Sequence, residues 1–277
     1  MKGAILLLAA VWPAPALAWQ PATIDDALHS LYNFDFPAAH ATLNTYIAAH
    51  PQDPLPYAFR GSAYLFYELD RLGVLESEFL TDDDRLVEKT RPHPDPVVRA
   101  QFLQAMGDAQ KRAEAVLKSN PNDRDGLFAM CVIAGVSTDY MALVEKRPIA
   151  SLGPARRANG YAQRLLKLDP KFYDAYLTAG FSEYMVGSLP FFIRWFVHFD
   201  NVDGDKQRGV QHLELVAREG HYLGPLAKVF LGIIDLREKK PQEARELLAE
   251  LVRDYPRNPL YRKELDKLDR KLAVPAD

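Results

Sequence analysis

Lys118-Ser119-Asn120-Pro121-Asn122-Asp123 closes an apolar, helix-patterned run. The same kind of closure recurs at Ala48-Ala49-His50-Pro51-Gln52-Asp53, Lys167-Leu168-Asp169-Pro170 and Arg253-Asp254-Tyr255-Pro256-Arg257-Asn258. Each proline ends a helix, because its ring pushes the preceding residue out of the helical region and it brings no N–H of its own. Twelve positions before the four prolines stand Ala39, Ala109, Ala158 and Ala244. Ten positions after the first three stand Gly61, Cys131 and Gly180, with Gly232 in the same role later. Between these marks apolar residues recur at spacings of three and four while strand alternation is scarce, which is the pattern of an all-α chain. Self-similarity of this kind marks stacked helical hairpins, in which small residues allow two helices to approach closely.

The arrangement resembles the tetratricopeptide repeat. Tyr57, Gly61 and Tyr64 fall where that motif places aromatic, small and aromatic residues, and Gly232–Pro256, with Ala244, Leu248 and Leu251, keeps the family spacing. The resemblance covers most of Thr23–Leu272 and implies a right-handed superhelical array of helical hairpins. The middle prolines lie further apart than the family repeat of about 34 residues. Insertions are therefore expected between repeat helices near 73–96, 137–154 and 188–205. The last of these contains an aromatic block, Pro190-Phe191-Phe192-Ile193-Arg194-Trp195-Phe196-Val197-His198-Phe199, between turns at Gly187-Ser188-Leu189-Pro190 and Asp203-Gly204-Asp205.

A narrower resemblance rests on Gly187-Ser188-Leu189-Pro190, the aromatic block, Gly204-Asp205-Lys206 with Gly209, and Tyr255-Pro256 with Asn258-Pro259-Leu260. It is to exported bacterial tetratricopeptide proteins of unassigned function. More distantly, it is to the eukaryotic tetratricopeptide family that includes the inclusion-body clearance protein, where Arg stands in place of Lys206. Neither resemblance brings catalytic residues. The association of the distant relatives with lipid droplets hints at lipid.

The N-terminus carries one basic residue, Lys2, then the apolar run Ala4–Trp12 and a small-x-small site at Ala16-Leu17-Ala18. This is the pattern of a cleavable signal peptide spanning 1–18, with the mature domain at 19–277. The run is short for a bilayer span, so no transmembrane span is expected in the mature chain. Cys131 is the single cysteine, so no internal disulfide is available in an oxidising compartment. A net charge of −3 gives no basic face for nucleic acid.

The first helix of each hairpin is apolar on its packing stripe and on the adjacent one, so a wide arc must be kept from water. The groove or pocket residues read from this pattern are Phe66, Phe128, Val132, Leu177, Phe181, Tyr184 and Ile233, with Phe192, Trp195 and Phe196 as lid or wall. Two coverings fit: the inserted segments fold back and fill the groove, or a pocket remains for an apolar ligand or partner helix. The basic and Asn residues that clamp a peptide carboxylate in chaperone-binding relatives do not stand at the matching positions.

Seven histidines form no pair at metal-binding spacing with a Cys or carboxylate partner. The Asp200–Asp205 stretch lacks the ligand alternation and closing Glu of a calcium loop and is read as a turn, with Asp205 capping the following helix. Asp82-Asp83-Asp84 is read as the acidic start of an exposed helix. There is no nucleophile elbow and no phosphate-cradling glycine loop. No catalytic, cofactor or metal residues are therefore assigned. Arg257–Leu272 reads as a polar capping helix, with Leu260, Leu265, Leu268 and Leu272 inward and Lys263, Glu264, Lys267 and Arg270 wet. The expectation is an exported, non-enzymatic binding or scaffold protein, periplasmic or alternatively secreted, with an envelope protein as partner. A carrier or sensor of a lipid or other hydrophobic small molecule is the alternative.

Overall fold

The computed structural model describes residues 22–77, 81, 93–188 and 204–273. Among them are eleven α-helices and no strand. They are α1 Ile24–Tyr32, α2 Phe36–Ala49, α3 Leu55–Arg71, α4 Pro96–Ser119, α5 Arg124–Asp139, α6 Pro148–Leu168, α7 Tyr176–Ser188, α8 Lys206–Glu219, α9 Gly224–Arg237, α10 Pro241–Asp254 and α11 Pro259–Ala273. A π-helical turn, Tyr140–Val144, extends α5, and a short 3-10 turn, Tyr173–Ala175, leads into α7.

Local chemistry sets the helix boundaries. The four residues before the recurring prolines are His50, Asn120, Asp169 and Tyr255, with φ of −128°, −138°, −141° and −129°. All four have left the helical region, as the proline ring demands. At the other ends, Asp35, Asp95, Asp123 and Asp205 are N-caps whose carboxylates accept first-turn N–H groups. Such a cap contributes about 1 kcal/mol. Thr23 and Asp26 form a reciprocal capping box at the start of α1.

Consecutive helices pack in pairs: α1 with α2, α3 with α4, α5 with α6, α7 with α8, and α9 with α10, while α11 lies on α10. The four alanines read from the repeat are buried at these contacts. At Gly180 the approach is backbone to backbone. A Cβ there would sit 2.8 Å from the carbonyl oxygen of Gly209, and one at Gly209 would sit 2.6 Å from that of Gly180. Gly232 differs: a Cβ there meets nothing within 4 Å, so helix approach does not require glycine at that position.

The chain between α5 and α6 is mostly helical, because the π turn carries α5 to Val144 before α6 starts at Pro148. Tyr140 in that turn stacks on Phe102 of α4 with ring centroids 4.0 Å apart. Residues Arg124–Val144 are long and apolar enough in composition to cross a membrane. Within the fold their side chains fill the core, with Leu127, Phe128, Ile133, Tyr140 and Val144 all buried.

The two ends of the array meet. The Asn258 side chain, 1% exposed, donates from Nδ2 to the Tyr32 carbonyl oxygen at 2.8 Å. Its Oδ1 accepts the N–H groups of Leu260 and Tyr261 at the start of α11. The Arg257 N–H donates to Asn33 Oδ1 at 3.0 Å, and the Tyr255 ring packs 5.4 Å from that of Tyr32. A single asparagine thus caps α11 and ties it to the end of α1.

Candidate interaction surface

The space between α1, α3 and α5 is occupied by the chain itself. The turn His221-Tyr222-Leu223, between α8 and α9, enters it. The Tyr222 ring lies 5.6 Å from that of Phe59 on α3 and 5.8 Å from that of Phe128 on α5. Tyr32 on α1 donates its hydroxyl to the Tyr222 carbonyl oxygen at 2.9 Å. The turn is held from below by Asp174, which is buried. Asp174 Oδ1 accepts the N–H groups of Tyr222 and Leu223 at 3.0 and 2.8 Å, and Oδ2 accepts that of His221 at 3.1 Å. Burial pushes this carboxyl above its ordinary range, and the three N–H donors pull it part of the way back.

The residues expected to line one groove are divided between two cores. Phe128 and Val132 are buried in the larger one, with Phe66 half-buried against it. Leu177 and Tyr184 belong to a second, with Phe181 packed on it and stacked 4.7 Å from Phe230. Ile233 is half-buried and joins neither cluster. Leu223 and Leu226 touch both cores and bridge them. Phe192, Trp195 and Phe196, expected as lid or wall, lie outside the described residues, as does Asp82-Asp83-Asp84.

Glu68, Glu183 and Glu264 are engaged in structural bonds. Glu68, with no exposed surface, takes a bidentate contact from Arg71 at 2.9 and 2.7 Å and the N–H of Asp95 at 2.8 Å. Glu183 accepts from Arg208 Nε at 2.9 Å and faces His212 Nδ1 at 2.8 Å. Glu264, expected to be wet, is buried: it receives the Ser77 hydroxyl and Lys267 at 2.8 Å. The reason is the closing contact, which brings the end of α3 and residues 73–77 against α11. Cys131 is likewise interior, 3.2 Å from the Thr178 hydroxyl, and burial pushes its thiol up to about 11. Among the described residues no group of His, Cys, Asp and Glu is placed to hold a metal ion.

Among the described residues an open concavity lies along the seam where α11 meets α1. A cleft of about 510 Å³ is lined by Asn33, Phe34, Asp35, Phe36, Pro37, Tyr67, Asp70, Arg257 and Pro259. Phe36 meets Phe34 at 5.2 Å and stands edge-on to Tyr67 at 5.6 Å. The turn that presents these rings places Phe34 at φ +58°, a left-handed conformation costly for an aromatic residue. Tyr67 remains 42% exposed. A smaller lobe of about 160 Å³, lined by Asp70, Gly73, Leu75, Glu76, Pro259, Leu260 and Lys263, continues the cleft past Asp70 and Pro259. Burial and neighbouring Glu76 raise the Asp70 carboxyl above its ordinary range, and Lys263 pulls it part of the way back.

In comparison with known proteins, no family model and no curated protein sequence matches this chain. The seam cleft was not legible as a site beforehand. Its residues come from α1–α2, the end of α3 and the start of α11, parts of the chain more than two hundred positions apart at the extremes. The one local signal was the Phe34-Asp35-Phe36-Pro37 turn, whose closely spaced aromatics flank a helix cap.

Proposed function

We propose that this protein is an exported, non-enzymatic binding module of the bacterial envelope. In this reading it is built on a tetratricopeptide-like array and holds a protein partner in the cleft where its two ends meet. The observation that supports the reading is the aromatic seam around Phe34, Phe36 and Tyr67, an open concavity among the described residues, while Tyr222 and its turn pack against Phe59 and Phe128. An exposed Tyr beside half-buried Phe rings and an Arg is a combination in which protein interfaces are enriched. Glu68, Asp174 and Glu183 are each engaged in holding the fold, which favours binding over catalysis at those positions. Export rests on the apolar run and Ala16-Leu17-Ala18 at the N-terminus.

The test places a photo-crosslinking amino acid at Tyr67 and, as a control, at Ile149, which is 84% exposed. Both variants are irradiated in whole cells. A discrete protein adduct from position 67 that is absent at 149 supports the reading; equal labelling at both positions, or none, refutes it. The intact mass of the protein from the periplasmic fraction should correspond to a chain starting at Trp19. Retention of residues 1–18 in soluble protein from that fraction would refute the cleaved leader.

A further inference from the structure

One carboxylate of the seam cleft has no direct ion pair, although Lys263 acts on it from a distance. Among its lining carboxylates, Asp35 is paired with Arg257 at 3.3 Å and Glu76 with Lys263 at 2.8 Å. Asp70 makes no hydrogen bond through its carboxylate and no ion pair within 4 Å among the described residues. It lines both lobes of the cleft, so it stands where they join. It also lies one residue from the C-terminal end of α3. Tyr67 lies three residues before it on the same helix, hence on the same face. The surroundings therefore favour a cation and give it ring faces to lie against.

We infer that the cleft takes an extended peptide segment bearing a basic side chain. The cation meets the Asp70 carboxylate, and its aliphatic stem lies against Tyr67 and Phe36. Shape decides for a peptide over a small ligand. Small-molecule sites enclose most of their ligand, whereas this concavity is open, with Pro37, Pro259, Leu75 and Leu260 among its lining residues. Aromatic and proline-lined troughs of this kind suit extended chains. The lining charges agree: three carboxylates, Asp35, Asp70 and Glu76, against two cations, Arg257 and Lys263. This inference rests on the cleft being the binding surface, as proposed above, and the experiment separates the two.

The mature protein is panned against a phage-displayed library of random peptides, and the enriched sequences are synthesised as probes. Each is made also with Arg replaced by citrulline or Lys by norleucine, and titrated against wild type, Asp70→Asn and Tyr67→Ala. Both substituted residues are exposed, and unchanged thermal melting confirms that the fold is kept. The expected result is enrichment of peptides with a basic residue. Kd should rise about five- to tenfold on Asp70→Asn or on neutralising the peptide, with little further change when the two are combined. Peptides that lose binding with Tyr67→Ala but carry no basic residue, or bind Asp70→Asn as well as wild type, overturn the cation inference and leave the cleft as the binding surface. Peptides indifferent to Tyr67→Ala, or no enrichment at all, overturn both.

Discussion

Asp174 holds the turn that packs between α1, α3 and α5, and removing its carboxylate should release that turn. Its two oxygens accept three backbone N–H groups at 2.8–3.1 Å, two on Oδ1 and one on Oδ2. Asp174→Ala leaves three inward-facing donors without an acceptor. At about 1–3 kcal/mol for each buried unsatisfied group, and with water reaching some of them, the expected loss is about 3–5 kcal/mol. Asp174→Asn is the graded control. Its amide oxygen can take the place of Oδ1 and keep the bonds from Tyr222 and Leu223, while its NH2 would face the His221 N–H. One bond is then lost, at about 1–2 kcal/mol. Urea unfolding followed by circular dichroism at 222 nm reads both values. Amide hydrogen exchange should show His221–Leu223 losing protection before the flanking helices α8 and α9. Variants within about 0.5 kcal/mol of wild type, or Asn as costly as Ala, would refute the account of this turn as anchored by one carboxylate.

Gly209→Ala should destabilise by at least about 2 kcal/mol, because its Cβ would lie 2.6 Å from backbone atoms of α7. Gly232→Ala meets nothing within 4 Å and should stabilise by up to about 1 kcal/mol through helix propensity; thermal melting of the pair checks the contrast. The Asp139 carboxyl is raised by burial from 3.8 to about 7. Between those values the folded chain holds a proton that the unfolded chain has released, so stability falls as pH rises and levels off above about 7. Asp139→Asn should remove that slope, and its advantage over wild type in urea midpoint should grow from pH 4 to pH 7.5; a pH-independent difference contradicts this. Cys131, buried and with its thiol raised to about 11, should resist iodoacetamide at pH 8 in native protein. It should react at a rate that tracks unfolding, and fast labelling of native protein would place it at the surface.

Much of the local structure was readable because it depends on neighbours in sequence. A residue before proline must leave the helix whatever the rest of the chain does, and His50, Asn120, Asp169 and Tyr255 all do. Asp205 caps α8 as its place after Gly204 indicated. The alanines and Gly180 mark helix contacts because only small side chains allow them. Gly232 carried the same signal without needing it, since composition cannot tell a required glycine from a tolerated one.

By itself the sequence determined an all-helical chain, where most helices stop, and that neighbouring helices pair, since period and capping act over a few residues. Only the tertiary structure decided that α11 meets α1 through Asn258, that Tyr222 packs against Phe59 and Phe128, that Glu264 is buried, and that an aromatic cleft lined by Asp70 opens at the seam. Those contacts join residues far apart in the chain through single side chains and turns. No periodic pattern encodes them: which polar residue ends up buried depends on where two distant surfaces come to rest.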